Sequence, residues 1–440
     1  MNYWYRTARL GTLLTVVLSF QLSVSADNLV LSIEDLFRKI ENSSTDVKLA
    51  HQDVAIASMR HRAERDGGLP DISVDLEADY LGNTFVLDRD FGNPTRSRMP
   101  HWGNSVSVSV YQPLYTGGEL SSKIRMADAQ YRIADNNLAS VKDRMKMTVL
   151  QSYLELAKNL NLLNVYDENI RITEQLIFEM KARASQGLVL ANDVTRYELN
   201  LSNLNYDRLT VVNTISNLNY SIISYLHLNE SDTIVPAIEF NRINFDAVPL
   251  SEWMAMSRQK SPTLRYFDLQ SAKLKANEKL IGSERLPKIG LCAGTSIIAP
   301  ITTHTPVLDK NLSRWFVGVK VSFTPSGFYK SSHKLKTAQL ESARLSDARV
   351  NCEENIDRNL DRAYRNYIEA VEHVTTQRKN VELASEHYRI VERRFNNDLS
   401  LLTDMLDASA SKLDAEMRLV NAEVDVLYYY FQLKYLSGTI

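Results

Sequence analysis

Residues 69–80 read LPDISVDLEADY, and residues 286–297 read LPKIGLCAGTSI. Each stretch begins with Leu-Pro and then places apolar side chains at alternate positions, as a β-strand with one apolar face does. Later landmarks recur at nearly the same spacing. The recurring residues are Leu69 and Leu286, Trp102 and Trp315, Pro113 and Pro325, and Asp193 and Asp404, with offsets of 217, 213, 212 and 211. Spacings this similar indicate an internal duplication.

Four strands are predicted, two in each copy, at about 71–82, 104–114, 288–298 and 315–324. The opposite face of the first strand is mostly acidic, and the second strand alternates valine with serine. Two interpretations stay open at this point. One is a small soluble sheet with one face packed on helices; the other is part of an outer-membrane barrel, in which lipid-facing and lumen-facing residues alternate.

Each strand pair is followed by a long segment without proline, such as Tyr115 to Val235 in the first copy. Apolar residues step by three and four from Leu120 to Met145, which is the heptad pattern of packed, supercoiled helices. A short break follows in each copy, at Gln186-Gly187-Leu188 and at Asn396-Asn397-Asp398. We therefore predict two long antiparallel helical hairpins, at about 118–228 and 328–437.

The strand count predicts the assembly. Four strands cannot close a membrane barrel, because known barrels have about eight or more. Two chains would give about eight strands around a filled interior, whereas three chains would give twelve strands around an open lumen. A cyclic homotrimer is therefore the smallest assembly expected to conduct.

The turns between strands and helices carry residues suited to unusual backbone geometry. In the first copy these are Pro113, Gly117 and Gly118, and in the second they are Pro325 and Gly327. Proline fixes one backbone angle, and glycine accepts angles that other residues avoid. We expect these five residues to form the strand–helix junctions.

The N-terminus and the composition limit the function. Arg6 and Arg9 precede an apolar run that ends at Val24-Ser25-Ala26, which predicts a signal peptide over residues 1–26; a membrane anchor is the alternative. Without those two arginines, 49 basic residues face 53 acidic ones, a net charge of −4, so nucleic acid is not an expected partner. No motif predicts an enzyme, a cofactor or a metal site.

The junction QPLYTGG at residues 112–118, the Gly187-Leu188 turn, the NDV stretch at 192–194 and TDMLDA at 403–408 resemble the TolC-like outer membrane efflux protein family. This resemblance covers essentially the whole mature chain. It implies an α+β membrane protein, mainly α: a trimeric channel-tunnel with a 12-stranded β-barrel in the outer membrane and a coiled-coil helical tunnel in the periplasm. It also implies docking to a periplasmic adaptor and to an inner-membrane transporter of the RND, ABC or MFS type.

Asp404 and Asp407 resemble the paired aspartates that form the periplasmic constriction in this family. Their i, i+3 spacing places both on one helix face, and three chains would bring six carboxylates around one axis, an arrangement that favours cations. The alternative is that both are ordinary solvated or helix-capping residues. Asp193 is the first-copy equivalent of Asp404, but Arg196 replaces the second aspartate. The adaptor-contact tips are predicted at Gly187, Leu188, Val189, Asn397, Asp398 and Leu399.

The predicted function is a passive exit duct in the outer membrane, extending into the periplasm, for tripartite efflux or type I secretion. The alternative function is a secreted periplasmic coiled-coil scaffold or adaptor without a pore. The chain is expected to divide into a first repeat over 27–235 and an equatorial segment with the second repeat over 236–440.

Overall fold

The computed structural model describes residues 28–187, 189–238, 248–304, 307–397 and 399–440. The predicted signal peptide lies outside these residues. The order helix, helix, strand, strand, helix, helix occurs twice along the chain. The first copy contains β1 (Asn28–Leu31), α1 (Ile33–Ser43), α2 (Thr45–Asp66), β2 (Asp71–Tyr80), β3 (Thr84–Val86), β4 (Thr95–Ser97), β5 (Trp102–Tyr115), α3 (Glu119–Ser185) and α4 (Ala191–Leu226). The second contains β6 (Thr233–Pro236), α5 (Leu250–Lys260), α6 (Pro262–Ser283), β7 (Lys288–Ala299), β8 (Leu312–Ser322), α7 (Gly327–Asn396) and α8 (Leu402–Ser437).

The two longest helices, α3 and α7, have 67 and 70 residues. At ~1.5 Å per residue each is about 100 Å long. Helix α7 buries apolar residues at heptad spacing from Leu360 to Val374, and the predicted seam of α3 is buried at Leu138 and Met145. Helix α3 packs on α4 and α8, and α8 packs on α7, so α4 and α7 form the two outer sides of this layer.

Strands β2, β5, β7 and β8 form one antiparallel sheet in that order. The four strands lie where the alternation predicts them, with ends shifted by up to three residues. The sheet stands beyond the ends of the helices, and the apolar residues of its face are exposed. A soluble sheet with its apolar face packed on the helices is therefore not what the chain forms.

The two copies are tied together near the middle of the helices by a small parallel pair. Strand β1 pairs with β6 in register from Asn28–Thr233 to Leu31–Pro236. The segment between α4 and α6 thus contains strand β6, and it also contains helix α5. The predicted boundary between residues 235 and 236 lies inside β6, and the division into two repeats stays a prediction.

None of the helices in the described ranges is apolar enough over a sufficient length to cross a bilayer.

Candidate functional site

One face of the four-stranded sheet is apolar and uncovered. Val74 lies opposite Val108, Leu76 lies opposite Val106, and the face continues onto β7 and β8. Trp102 and Trp315, near the ends of the strands away from the helices, are 76% and 79% exposed. Exposed apolar patches of this extent mark a surface that contacts lipid or protein, and tryptophan is enriched where a barrel meets the membrane interface.

The other face of the same sheet is polar. Asp75 and Glu77 on β2 lie opposite Ser107 and Ser105 on β5, and the Oγ atoms of Ser73 and Ser109 are 2.7 Å apart across the strands. The Ser107 hydroxyl donates a hydrogen bond to the carboxylate of Asp75 at 3.4 Å. An apolar outer face with a polar inner face is the arrangement of a barrel wall around a water-filled lumen.

The two outermost strands of the sheet each have a neighbour on one side only within the described residues. Three antiparallel pairings separate β2 from β8, so these two edge strands run in opposite directions. Strand β8 of one chain could therefore lie antiparallel to β2 of another. Free edges of this length invite pairing with another chain, and closing a barrel removes them.

The first strand–helix junction uses glycine for backbone reasons. Gly117 has φ of +65° and Gly118, which precedes the first residue of α3, has φ of +88°. Both values lie in the left-handed region that favours glycine. A Cβ on Gly117 would also come within 2.8 Å of the Leu286 Cβ. The first junction thus packs directly on the turn that begins the second strand pair.

The second junction uses glycine for a different reason. Gly327 begins α7 without a positive φ, but a Cβ there would collide with the backbone carbonyl of Glu284. The expectation of an unusual backbone angle at this position was therefore wrong, and the glycine is needed for close packing instead. Gly117 and Gly327 both pack closely against residues 284–286, so the two strand–helix junctions contact the same turn.

Near the far ends of the helices, four helices close around one core. Met180 of α3, Tyr197 of α4, Val391 of α7 and Met405 of α8 are buried there together. Burial raises the pKa of the Tyr197 hydroxyl well above its usual range. This packed core fixes the helix ends that carry Asp404.

Asp404 lies in the first turn of α8 and caps it. One oxygen of its carboxylate accepts hydrogen bonds from the Leu401 backbone N–H at 3.0 Å and from the Ser400 hydroxyl at 2.9 Å. Asp404 is thus a helix-capping residue, as the alternative interpretation expects, and its side chain is nevertheless exposed to solvent. A single carboxylate can cap a helix through one oxygen and face solvent with the other.

Asp407 lies one turn further along α8 and is also exposed. In the first copy, Asp193 occupies the third residue of α4, just as Asp404 occupies the third residue of α8. The structure therefore places Asp404 and Asp407 side by side near the tip, with Asp193 at the matching position of the other hairpin.

Comparisons with known proteins agree with this geometry. The family model "Outer membrane efflux protein" matches residues 36–217. The outer-membrane channel OprN superposes with a TM-score of 0.77 at 13% identity, over 93% of this chain and 90% of that chain.

Residues 36–217 of this chain match the outer membrane efflux protein family, and the chain as a whole shares the fold of the OprN channel.

Two further structures share the fold of this chain. The outer membrane protein VceC of Vibrio cholerae has a TM-score of 0.73 at 12% identity, over 92% of this chain and 96% of that chain. The open-state MtrE outer membrane channel of Neisseria gonorrhoeae has a TM-score of 0.73 at 15% identity, over 92% and 89%. No curated protein sequence matches the chain. The predicted TolC-like fold is confirmed, the predicted family is matched over residues 36–217, and the outer-membrane location and efflux role agree with the family's description.

The predicted adaptor-contact tips are described only in part. Gly187 has φ of +74° and begins the α3–α4 turn, whereas Leu188 and Asp398 lie outside the described residues. Arg183 donates a hydrogen bond to the Asn396 carbonyl at 3.4 Å, which links the two tips of this chain. Val189 and Asn397 flank the turns, and Leu399 is exposed.

A buried hydrogen-bonding centre at Tyr153 was not predicted from the sequence. The Tyr153 hydroxyl of α3 donates to the Leu31 carbonyl at 2.6 Å and accepts from the Ala237 N–H at 3.1 Å, so it joins α3 to β1 and to the segment after β6. Burial raises the pKa of Tyr153 to about 12. Within the described ranges, no group of three His, Cys, Asp or Glu side chains could hold a metal ion.

Proposed function

We propose that three copies of this chain form a passive exit duct in the outer membrane, continued into the periplasm by the helices. The observation that carries this proposal is the sheet, which has an uncovered apolar face, a polar face and two free antiparallel edges. Three such sheets give twelve strands and an open lumen. The pump that drives transport lies in the inner membrane, and a periplasmic adaptor connects the two.

The outer sides of the helical layer support the same assembly. Exposed apolar residues lie seven positions apart on each outer helix, at two-turn spacing along one side. The pairs are Leu49 and Ile56 on α2, Leu199 and Tyr206 on α4, and Leu383 and Ile390 on α7. Helices α2 and α4 lie on one side of the chain and α7 on the other. When α7 of each copy packs against α2 and α4 of the next copy around a closed ring, both sides of every copy become buried.

The duct itself performs no chemistry in this proposal. The paired aspartates Asp404 and Asp407 narrow the periplasmic entrance, and the residues around Gly187 and Asn397 contact the adaptor. The two functional regions are thus at the helix tips, about 100 Å from the barrel. A pore-free scaffold would use the hairpins but has no use for a sheet with an uncovered apolar face.

The experiment that tests this proposal is the mass of the chain after extraction from outer membranes in mild detergent, with the detergent contribution subtracted. Three chains per particle, with ion conductance in planar bilayers, is the expected result. A monomer in the soluble periplasmic fraction would overturn the duct and favour the scaffold.

A pair of adjacent substitutions tests which face meets lipid. Val108→Lys should impair assembly in the membrane by about 2–4 kcal/mol, because it places a charge on the lipid side near mid-strand. Ser107→Lys, one residue earlier on the lumen side, should assemble as the wild type does. Equal yields of folded trimer from the two variants would contradict the assignment of the faces.

A further inference from the structure

Two aromatic side chains lie on the polar face of the sheet. Tyr111 of β5 shares that face with Asp71, its register partner on β2. Phe316 of β8 shares it with Gly294, its register partner on β7. Aromatic rings that stood upright on this face would project far into a lumen.

Neither ring stands upright, because each lies over a glycine of β7. A Cβ on Gly290 would be 2.5 Å from both the Tyr111 ring Cζ and its hydroxyl oxygen. A Cβ on Gly294 would be 2.9 Å from the Phe316 Cε1 and 3.0 Å from its Cζ. Both separations are too short for any real Cβ, so the rings occupy the space that a side chain on β7 would fill. Glycine inside a strand often marks such a close approach.

The lumen wall also offers an internal control. Gly318 of β8 lies on the same face, opposite Cys292, and a Cβ there would meet nothing within 4 Å. The three glycines thus share a face of the sheet, and two of them are covered by a ring. The covering is therefore a property of Gly290 and Gly294 and not of glycine in this sheet generally.

We propose that Gly290 and Gly294 set the free bore of the barrel by letting Tyr111 and Phe316 lie flat against its wall. This inference rests on the proposed duct. With ~4.8 Å between strands and a tilt of ~40°, a twelve-stranded barrel has a backbone radius of about 12 Å. Two rings per chain make six in a trimer. With a radius this small, rings of Tyr111 and Phe316 that pointed inward would narrow the lumen and exclude the largest cargo.

The test measures the size of polymer that the barrel admits. Wild-type and variant trimers are placed in planar bilayers, and polyethylene glycols of graded size are added on the barrel side while single-channel conductance is recorded. Gly290→Ala and Gly294→Ala should each exclude the largest polymer that enters the wild type. Gly318→Ala should leave the size limit unchanged.

Removing the displaced ring should restore the bore. The double variants Gly290→Ala with Tyr111→Ser, and Gly294→Ala with Phe316→Ser, should again admit the largest polymer. If Gly290→Ala fails to form trimers, its double variant should recover trimers, since the collision with the Tyr111 ring is then relieved; at Gly294 a Cβ would also lie 3.1 Å from the Val108 carbonyl oxygen, so trimer recovery is tested at Gly290. Unchanged size limits in both alanine variants, or double variants that recover neither trimers nor bore, would overturn the inference. A wild-type chain that forms no conducting trimer would instead overturn the proposed duct itself.

Discussion

Helices α3 and α7 are counterparts in the two copies and are almost equal in length, yet their surroundings differ. Helix α3 packs on α1, α2, α4, α6 and α8, whereas α7 packs on α5, α6 and α8. Helix α3 buries 22 of its residues, whereas α7 buries 11 and leaves Leu340, Val350, Leu383 and Ile390 exposed. One copy therefore supplies the centre of the chain and the other supplies an edge.

This difference shows that duplication within one chain does not bury all the apolar helix surface. Two similar hairpins placed side by side give a layer with two free sides, and only a further copy can cover them. The asymmetry between α3 and α7 thus divides the apolar residues into those that fold the single chain and those that assemble the trimer. The predictions below test that division, beginning with the largest effect.

At the central helix, Tyr153→Ala should lower the free energy of unfolding by about 3–5 kcal/mol, because it empties a fully buried site. Tyr153→Phe should cost about 0.5–1.5 kcal/mol, since the Leu31 carbonyl loses the hydrogen bond from the hydroxyl, while the Ala237 N–H keeps its bond to the same carbonyl. Tyr197→Phe is the matched control, because the buried Tyr197 hydroxyl has no hydrogen-bond partner within the described residues. Denaturant titration of the detergent-solubilised protein measures all three. Equal costs for the two Phe variants would contradict the role of the Tyr153 hydroxyl.

At the edge helix, Leu383→Asp with Ile390→Asp should abolish the trimer and leave the helical content of the chain unchanged. The two carboxylates would be buried without partners in the contact between copies. Particle mass and circular dichroism measure the two effects separately. Glu386→Gln, an exposed change between these positions, should keep the trimer. A stable trimer of the double variant would place the contact elsewhere.

At the helix tips, Asp404→Asn with Asp407→Asn should reduce the preference for cations, because a ring of six carboxylates becomes neutral. Asp193→Asn changes the matching position in the first copy and should leave the preference unchanged. Reversal potentials in a salt gradient measure the ratio of cation to anion permeability. A larger effect from Asp193→Asn would assign the constriction to the first hairpin.

The smallest effects concern two carboxyls with opposite pKa shifts. Burial raises the pKa of Asp143 on α3 above its ordinary 3.8, with Lys146, Glu41 and Lys142 also acting on it. Between 3.8 and the raised value, the folded chain binds more protons than the unfolded chain, so the free energy of unfolding falls as pH rises through this window. Asp143→Asn should therefore stabilise the protein at pH 7 and lose that advantage below pH 3.8.

Substituting Asp361 on the edge helix α7 should change the free energy of unfolding at pH 7 in the opposite direction. On α7, the hydrogen bond from Arg365 lowers the pKa of Asp361. Its contribution is present above the ordinary value of 3.8 and is lost as pH falls through the lowered value. Asp361→Asn should therefore give a small destabilisation at pH 7, since an exposed pair contributes little. Thermal unfolding at pH 7 and pH 3.5 measures both variants, and the same sign for both would contradict the comparison.

The sequence predicted the features that repeat over many residues. Alternation over about six to ten positions predicted the four strands, and the heptads predicted the hairpins to within a few residues. It did not predict the β1–β6 pair, because two four-residue segments about two hundred positions apart carry no periodic signal. The short β3–β4 hairpin inside the first loop was missed for the same reason of length.

The candidate site divided in the same way. Asp404 and Asp407 could be placed on one helix face from their spacing, but the bond from the Leu401 N–H depends on where α8 begins. Its position in the first helical turn was the signal that favoured a cap. The rings over Gly290 and Gly294 depend on cross-strand register, which alternation within one strand does not fix.

The shared support of Gly117 and Gly327 on residues 284–286 has a mechanical consequence. Each long helix extends about 100 Å from its junction, so a tilt of about 5° at the junction would displace an unrestrained tip by about 9 Å, and the core at the far ends opposes that displacement. Because both junctions pack on residues 284–286, a change in this turn would alter the orientation of α3 and α7 together. A single methyl group added at Gly117 or Gly327 would therefore cause its largest displacement at the helix tips, at the opposite end of the molecule.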